Sequence, residues 1–271
     1  MGLLDAIGQT HVPVEATSAD VRIVSLVPSI TELLCDLGLA QCLVGRTGFC
    51  IHPDSVVKKI AKVGGTKDVN VDKIRRLAPT HLIVNMDENE KPLVDTLSEF
   101  IPHVIVTHPL TARDNLSLFR LLGGIFCVEQ RAEELCAEFE AAYVRLSPSR
   151  THRTMLYCIW KDPWMTISAD TYIANMLDLI GWKTWATSTM SIAPKRYPVF
   201  AWDDVVLNQI DGVLLSSEPY RFTERDVIEL EQKIAKPVQL IDGEMLSWYG
   251  SRAIAGLHYL RQLSHVSASA K

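Results

Sequence analysis

Between Val21 and Leu39 the chain reads VRIVSLVPSITELLCDLGL: a β-branched run stopped by Pro28 and Ser29, then apolar residues at helical spacing up to Gly38. A strand that passes through a tight turn into a helix is half of a crossover unit, and the pattern recurs along the chain. CLVGRTGFC reads as a short strand running into a Gly-rich loop through His52 and Pro53, and a helix over 70–77 leads past Pro79 into the strand HLIVN. The segment PLVDTLSEF is helical and HVIVTHP extended. After residue 150 the alternation resumes with TMLYCIW, a helix at TYIANMLDLIG, a helix at WDDVVLNQI, the strand GVLLSS, a helix over 224–234, the strand VQLI and a closing helix over 251–263. Strands alternating with helices predict an α/β protein with parallel, doubly wound sheets.

Between the two alternating blocks lie a short helix over 111–123 and an amphipathic one. Val128, Ala132, Leu135, Phe139, Ala142 and Leu146 recur at spacings of four and three. They predict a helix of about 20 residues, roughly 30 Å long, ended by Pro148 and Ser149. The blocks echo each other. Asp72 opens a helix ahead of HLIVN and Asp203 opens one ahead of GVLLS, and each strand delivers an acidic loop, Asp87-Glu88-Asn89-Glu90 or Ser217-Glu218-Pro219-Tyr220. Ligands of open α/β sheets sit beyond the carboxyl ends of the strands, so these loops are expected to face a common ligand cleft. The expected divisions are an extension over 1–20, a first lobe over 21–110, linking helices over 111–149, a second lobe over 150–265 and a tail over 266–271.

Composition narrows the function. A formal charge of −5 and the lack of a basic stripe interleaved with aromatics exclude nucleic acid as an expected partner. No apolar run is long enough to span a membrane, so no membrane insertion is expected. The segment 1–20 carries no basic, apolar and small-residue sequence of an export signal, which predicts a cytoplasmic protein with its six cysteines reduced. No GxGxxG, GxxxxGK[ST], GxSxG or HExxH pattern occurs. Gly64-Gly65-Thr66-Lys67 lacks the strand and upstream glycine of a phosphate loop and reads as a turn.

Aromatic loops after strands are the strongest local signal. Trp160-Lys161-Asp162-Pro163-Trp164, Tyr220-Arg221-Phe222 and Trp248-Tyr249 within the loop over 242–250 fall together in the second block. They read as an aromatic wall for a flat, partly apolar ligand. Asp87, Glu88 and Glu90 stand as either an acid–base set or a solvated helix start. Cys50 and His52 offer two metal ligands with no third nearby, so no direct metal site is expected.

VRIVSLVPSITELL, the VGGTKDVNVDKIRRLAPTHLIV block, KDPWMTISADTYIANML and DGEMLSWYGSR together resemble the class III periplasmic-type binding proteins, or helical-backbone metal receptors, over nearly the whole chain. These sequences look most like the cobalamin-binding subgroup, beside haem and ferric-siderophore binders. The resemblance implies two Rossmann-like βα lobes with parallel sheets, joined by one long backbone helix, and a cobalamin-like corrinoid or another metal chelate held between the lobes. Carried over residue by residue, it implies ligand contacts from Pro28, Ser29, Cys50, His52, Glu88, Asn89, Trp160, Trp164, Tyr220, Trp248 and Tyr249, with no covalent chemistry.

Members that feed an ABC permease carry a glutamate on each lobe where this chain has Asp72 and Asp203. The shorter side chains, with the missing export signal, count against a permease partner. Two other readings stand beside this one. The first is an enzyme using Asp87, Glu88 or Asp162 as acid or base on a small ligand. The second is an importer component exported by an unrecognised route.

Overall fold

In a computed structural model the structure describes residues 2–16, 20–146, 152–186 and 195–269, the last five as backbone alone. Two compact units are present. The first takes Met1–Pro109, Arg113–Glu140 and Tyr249–Arg252; the second takes Leu110–Ala112, Ala141–Trp248 and Ala253–Lys271. The chain thus returns to the first unit for four residues, which continuous divisions of the sequence do not contain.

The first unit opens with β1 (Leu3–Leu4) and β2 (Thr10–His11), an antiparallel pair. Its five-stranded sheet follows: β3 (Ile23–Ser25), β4 (Leu43–Arg46), β5 (Ala61–Lys62), β6 (His81–Asn85) and β7 (His103–Thr107). The order is β5-β4-β3-β6-β7 and every pairing is parallel. Ile23, Val24, Leu82, Ile83 and Ile105 are wholly buried, because helices cover both faces of such a sheet and its strands have no solvent side. β7 is an edge, and the amino-terminal pair covers it. Ala6 N–H donates to Val106 O at 2.9 Å and Val106 N–H to Asp5 Oδ2 at 3.1 Å, which satisfies backbone groups that an open edge would expose.

The second unit holds β8 (Arg153–Cys158), β9 (Trp182–Thr184), β10 (Gly212–Ser216) and β11 (Val238–Ile241) in the order β11-β10-β8-β9, again all parallel. Its core joins Leu156, Val213 and Leu215 to Phe200, Phe222, Leu230 and Trp185. The α/β expectation is met in both units.

Several local expectations are revised. The short strands β5 and β9 and the helix Asp54–Val57 are additional. The helix expected over about 20 residues is Glu129–Tyr143, 15 residues and so about 22 Å. Its last turn tightens, with Arg145 N–H on Ala142 O and Leu146 N–H on Tyr143 O; Pro148 and Ser149 lie outside the described residues. The segment expected as a loop over 242–250 contains a short helix, Gly243–Ser247, started by Asp242, whose Oδ1 accepts from Met245 N–H at 3.3 Å.

Candidate functional site

A doubly wound sheet has one place where its crossovers part to opposite sides, and a crevice opens there beyond the strand ends. In the first sheet that place lies between β3, which connects toward β4, and β6, which connects toward β7. Pro28 and Ser29 follow β3, and Glu88 and Asn89 follow β6. In the second sheet it lies between β8 and β10. Trp160 and Trp164 follow β8, and Tyr220 follows β10. Most residues singled out from the sequence therefore flank the switch point of their own sheet.

What these side chains do there differs. Pro28 and Ser29 begin the helix Pro28–Asp36 and are buried. Asn89, 6% exposed, is a clamp: Oδ1 accepts from Asn85 N–H at 2.9 Å, and Nδ2 donates to Thr66 O at 2.9 Å and Leu26 O at 3.4 Å. It bridges the ends of β3 and β6, so its amide is engaged within the protein. Cys50 is wholly buried, its thiol between the hydroxyls of Thr31 (3.1 Å) and Thr47 (3.2 Å). Burial pushes the thiol's pKa up, against those hydrogen bonds and nearby Arg46. Placed so, Cys50 presents no surface to a ligand. His52 is half-buried. Among the described residues no three His, Cys, Asp or Glu side chains are grouped to hold a metal ion.

Tyr249, 6% exposed, donates its hydroxyl to Glu88 Oε1 at 2.7 Å. Burial first, then the neighbouring Glu88 charge, raise the phenol well above its ordinary pKa. Gly250 follows at φ +80°, with its N–H on Asn115 Oδ1 at 2.6 Å. A Cβ at Gly250 would come within 3.2 Å of Leu33 and 3.3 Å of Ser29 O, so the turn that positions Tyr249 needs glycine.

In the second unit the aromatics form a continuous set. Trp164 stacks on Phe222 at 5.7 Å and 12° and meets Trp202 edge-on at 5.3 Å, while Trp160 meets Tyr220 edge-on at 5.5 Å. Trp160 is 41% exposed; Trp164 and Tyr220 are half-buried. The loop that carries Trp160 is a tight reversal in which Trp160 and Met165 pair antiparallel. Lys161 ties it down by an ion pair to Asp226 at 2.9 Å. Trp248 is buried, its Nε1–H on Glu218 Oε1 at 3.0 Å. The same oxygen accepts the Ser247 hydroxyl at 2.6 Å, and burial raises the Glu218 carboxyl above its ordinary pKa.

The carboxylates read as possible acids and bases are scattered. Asp87 Oδ2 lies 3.3 Å from His108 Nε2, Glu88 takes the Tyr249 hydroxyl, and Glu90 and Asp162 are exposed. Asp72 and Asp203 are exposed, but they are not equivalent: Asp203 caps Asp204–Gln209 through Val206 N–H at 2.8 Å, whereas Asn70, two residues before Asp72, caps Val71–Arg76.

From the sequence Glu218 and Phe222 fall in the expected ligand loops without a role of their own, and the Lys161–Asp226 pair is not foreseen, nor are Phe49, Ile51 and Met86 as exposed side chains in the loops after β4 and β6. A signal for Glu218 was present, since it follows GVLLS much as Glu88 follows HLIVN.

The comparisons with known proteins agree with this architecture. The vitamin B12-binding protein of Pectobacterium carotovorum is 21% identical over 259 residues, covering 92% of each chain. Among solved structures, the periplasmic vitamin B12 binding protein of Vibrio cholerae superposes with a TM-score of 0.72 at 16% identity over 91% of this chain and 97% of its own. A periplasmic haem binding protein from Pseudomonas aeruginosa gives 0.74 at 19% identity over 91% and 93%. By name these are binding proteins rather than enzymes. They also correct one expectation: the family model and both solved structures are described as periplasmic, which overturns the cytoplasmic placement read from segment 1–20. A model of the periplasmic binding protein family matches residues 23–218, and the chain belongs to that family.

Proposed function

We propose that the chain binds a flat metal chelate, a cobalamin-like corrinoid or haem, with the loops at the carboxyl ends of its strands. The observation that carries the reading is Trp160: a large indole left 41% exposed, braced edge-on by Tyr220 and fixed by the Lys161–Asp226 pair, at the switch point of the second sheet. A rigid exposed ring at a crevice contributes apolar burial at about 25 cal/mol per Å² and roughly 1 kcal/mol of ring contact. Within the first unit Phe49, Ile51 and Met86 likewise stand exposed in loops that follow strands. The names of the relatives, vitamin B12 and haem binding proteins, support this ligand class.

Asp72 and Asp203, both exposed at helix starts, are proposed as the contacts for an importer permease.

Absorption titration of the purified protein with cyanocobalamin, haem and a ferric siderophore tests the ligand reading. Saturable binding of one chelate, weakened at least fivefold in Trp160→Ala with an unchanged melting temperature, is expected. Binding of none, or equal binding by the variant, overturns it.

A further inference from the structure

Arg46 closes β4 and is 3% exposed. Its guanidinium is held by two carbonyls, Nε–H donating to Val57 O at 2.9 Å and Nη1–H to Thr47 O at 3.0 Å. Both acceptors are neutral. Most arginines bonded elsewhere in the protein meet a carboxylate: Arg113 with Glu140, Arg120 with Glu133, Arg131 with Glu134 and Glu138, Arg225 with Glu229, Arg252 with Glu32. Among the described residues Arg46 meets none, and Nη2 has no hydrogen-bond partner. Among the described residues the wholly enclosed and unbonded side-chain atoms belong to Ser29, His108, Thr166, Arg196, Trp202 and Ser251, and Nη2 is not one of them.

Buried charges are ordinarily paired, because an unpaired one forfeits several kcal/mol of hydration with no counter-ion in return. The surroundings deepen the imbalance. From residue 46 to 67 the chain carries Arg46, Lys58, Lys59, Lys62 and Lys67 against the single acid Asp54, in a protein whose formal charge is −5. Asp54 already pairs with Lys58 at 2.6 Å. The loop that follows Arg46 raises Phe49 and Ile51, 62% and 47% exposed. A fixed cation with one nitrogen unbonded, beside exposed apolar side chains, suits an apolar ligand that carries an anionic arm.

We propose that Arg46 receives an oxyanion of the ligand, a carboxylate or phosphate, on its unbonded Nη2 edge. The two carbonyls hold the guanidinium plane in advance, so little side-chain entropy is lost when the anion arrives. This inference rests on the chelate-binding reading and selects within it for ligands with acidic arms.

The test pairs ligands that differ in that arm alone: haem, with two propionates, against its dimethyl ester; and cobalamin, with its phosphodiester, against cobinamide, which lacks it. The first pair reports a carboxylate and the second a phosphate. In wild type the acidic member of at least one pair is expected to bind at least tenfold tighter. Arg46→Gln is expected to lose that preference while affinity for the neutral member changes less than twofold. Equal weakening of both members, or a preference retained by Arg46→Gln, overturns the proposal. Should Arg46→Gln fail to fold, as judged by circular dichroism, Arg46→Lys keeps the charge without the fork and is expected to lose at least threefold of the preference; a full preference in that variant overturns the proposal.

If wild type binds none of the four chelates, the chelate reading itself falls. Inorganic phosphate at constant ionic strength then tests the anion site alone. A melting temperature raised in wild type and not in the Arg46 variant supports it, and no phosphate effect on wild type sinks it.

Discussion

Trp248 gives its indole N–H to Glu218 Oε1 at 3.0 Å, on the same oxygen that accepts the Ser247 hydroxyl at 2.6 Å. One half-buried carboxylate thereby fixes the chain just before it leaves the second unit at Trp248. Removing the acceptor leaves two donors unmet, each at roughly 1–3 kcal/mol. Glu218→Ala is expected to lower stability by about 2 kcal/mol in urea denaturation, and Glu218→Gln, which keeps an amide oxygen, by less than half of that. Equal losses would show that the acceptor is not what matters.

Tyr249, the next residue, belongs to the first unit and donates to Glu88 at 2.7 Å. Because burial and the Glu88 charge hold the phenol's pKa well above its ordinary value, Tyr249 is expected to add nothing to tyrosinate absorbance near 295 nm while ordinary tyrosines ionise. Tyr249→Phe is expected to leave that titration curve unchanged while costing about 1.5–3 kcal/mol, the range for a hydrogen bond to a charged group. A loss of one tyrosine's absorbance from the curve would refute the buried assignment.

His81 starts β6, stacks on His103 at 4.7 Å and is 5% exposed. Burial first, then the charges of His103 and His11, lower its pKa to about 4. Unfolded, a histidine titrates near 6.5, so on acidification the unfolded state takes up this proton first. The stabilising contribution is complete above pH 6.5, falls between 6.5 and 4, and levels off below; its size is about 2–4 kcal/mol. Denaturation at pH 7.5 and 4.5 is expected to show His81→Gln losing at least 1 kcal/mol less than wild type between the two. Parallel losses would remove His81 as the source.

Lys161 and Asp226 are 29% and 15% exposed and lie 2.9 Å apart. The pair raises the lysine pKa, and Asp226 is lowered by the same contact with help from Thr223 against its own desolvation. Partial exposure screens the attraction, so a double-mutant cycle is expected to give only about 0.5–1 kcal/mol of coupling. If Trp160 meets the ligand as proposed, the pair that holds its loop matters more for affinity: Lys161→Ala is expected to weaken chelate binding severalfold with little change in melting temperature. Unchanged affinity would mean that the loop holds its shape without the pair.

The strands HLIVN and GVLLS were legible because both faces of each are buried, which makes an unbroken apolar run; the capping box of Thr223 and Asp226 that starts helix 224–234 is seen only in the structure. β5 and β9, at two and three residues, carry too little pattern to be seen; they exist because neighbouring strands offer them partners. The short helix at Gly243–Ser247 was hidden by the aromatic character of its surroundings.

The sequence by itself determined the α/β alternation, and with it the strand-end loops where a ligand can be met, since burial on both faces of a parallel strand is written residue by residue. Tertiary structure alone decided which residues in those loops are free to act. Trp160 and Cys50 are both apolar-leaning residues just past a strand, yet one is left exposed on a braced loop and the other is sealed between Thr31 and Thr47. Whether a side chain faces solvent or finds a hydrogen-bond partner depends on neighbours far along the chain, such as Tyr220 for Trp160 and Thr31 for Cys50, and local spacing holds no record of them.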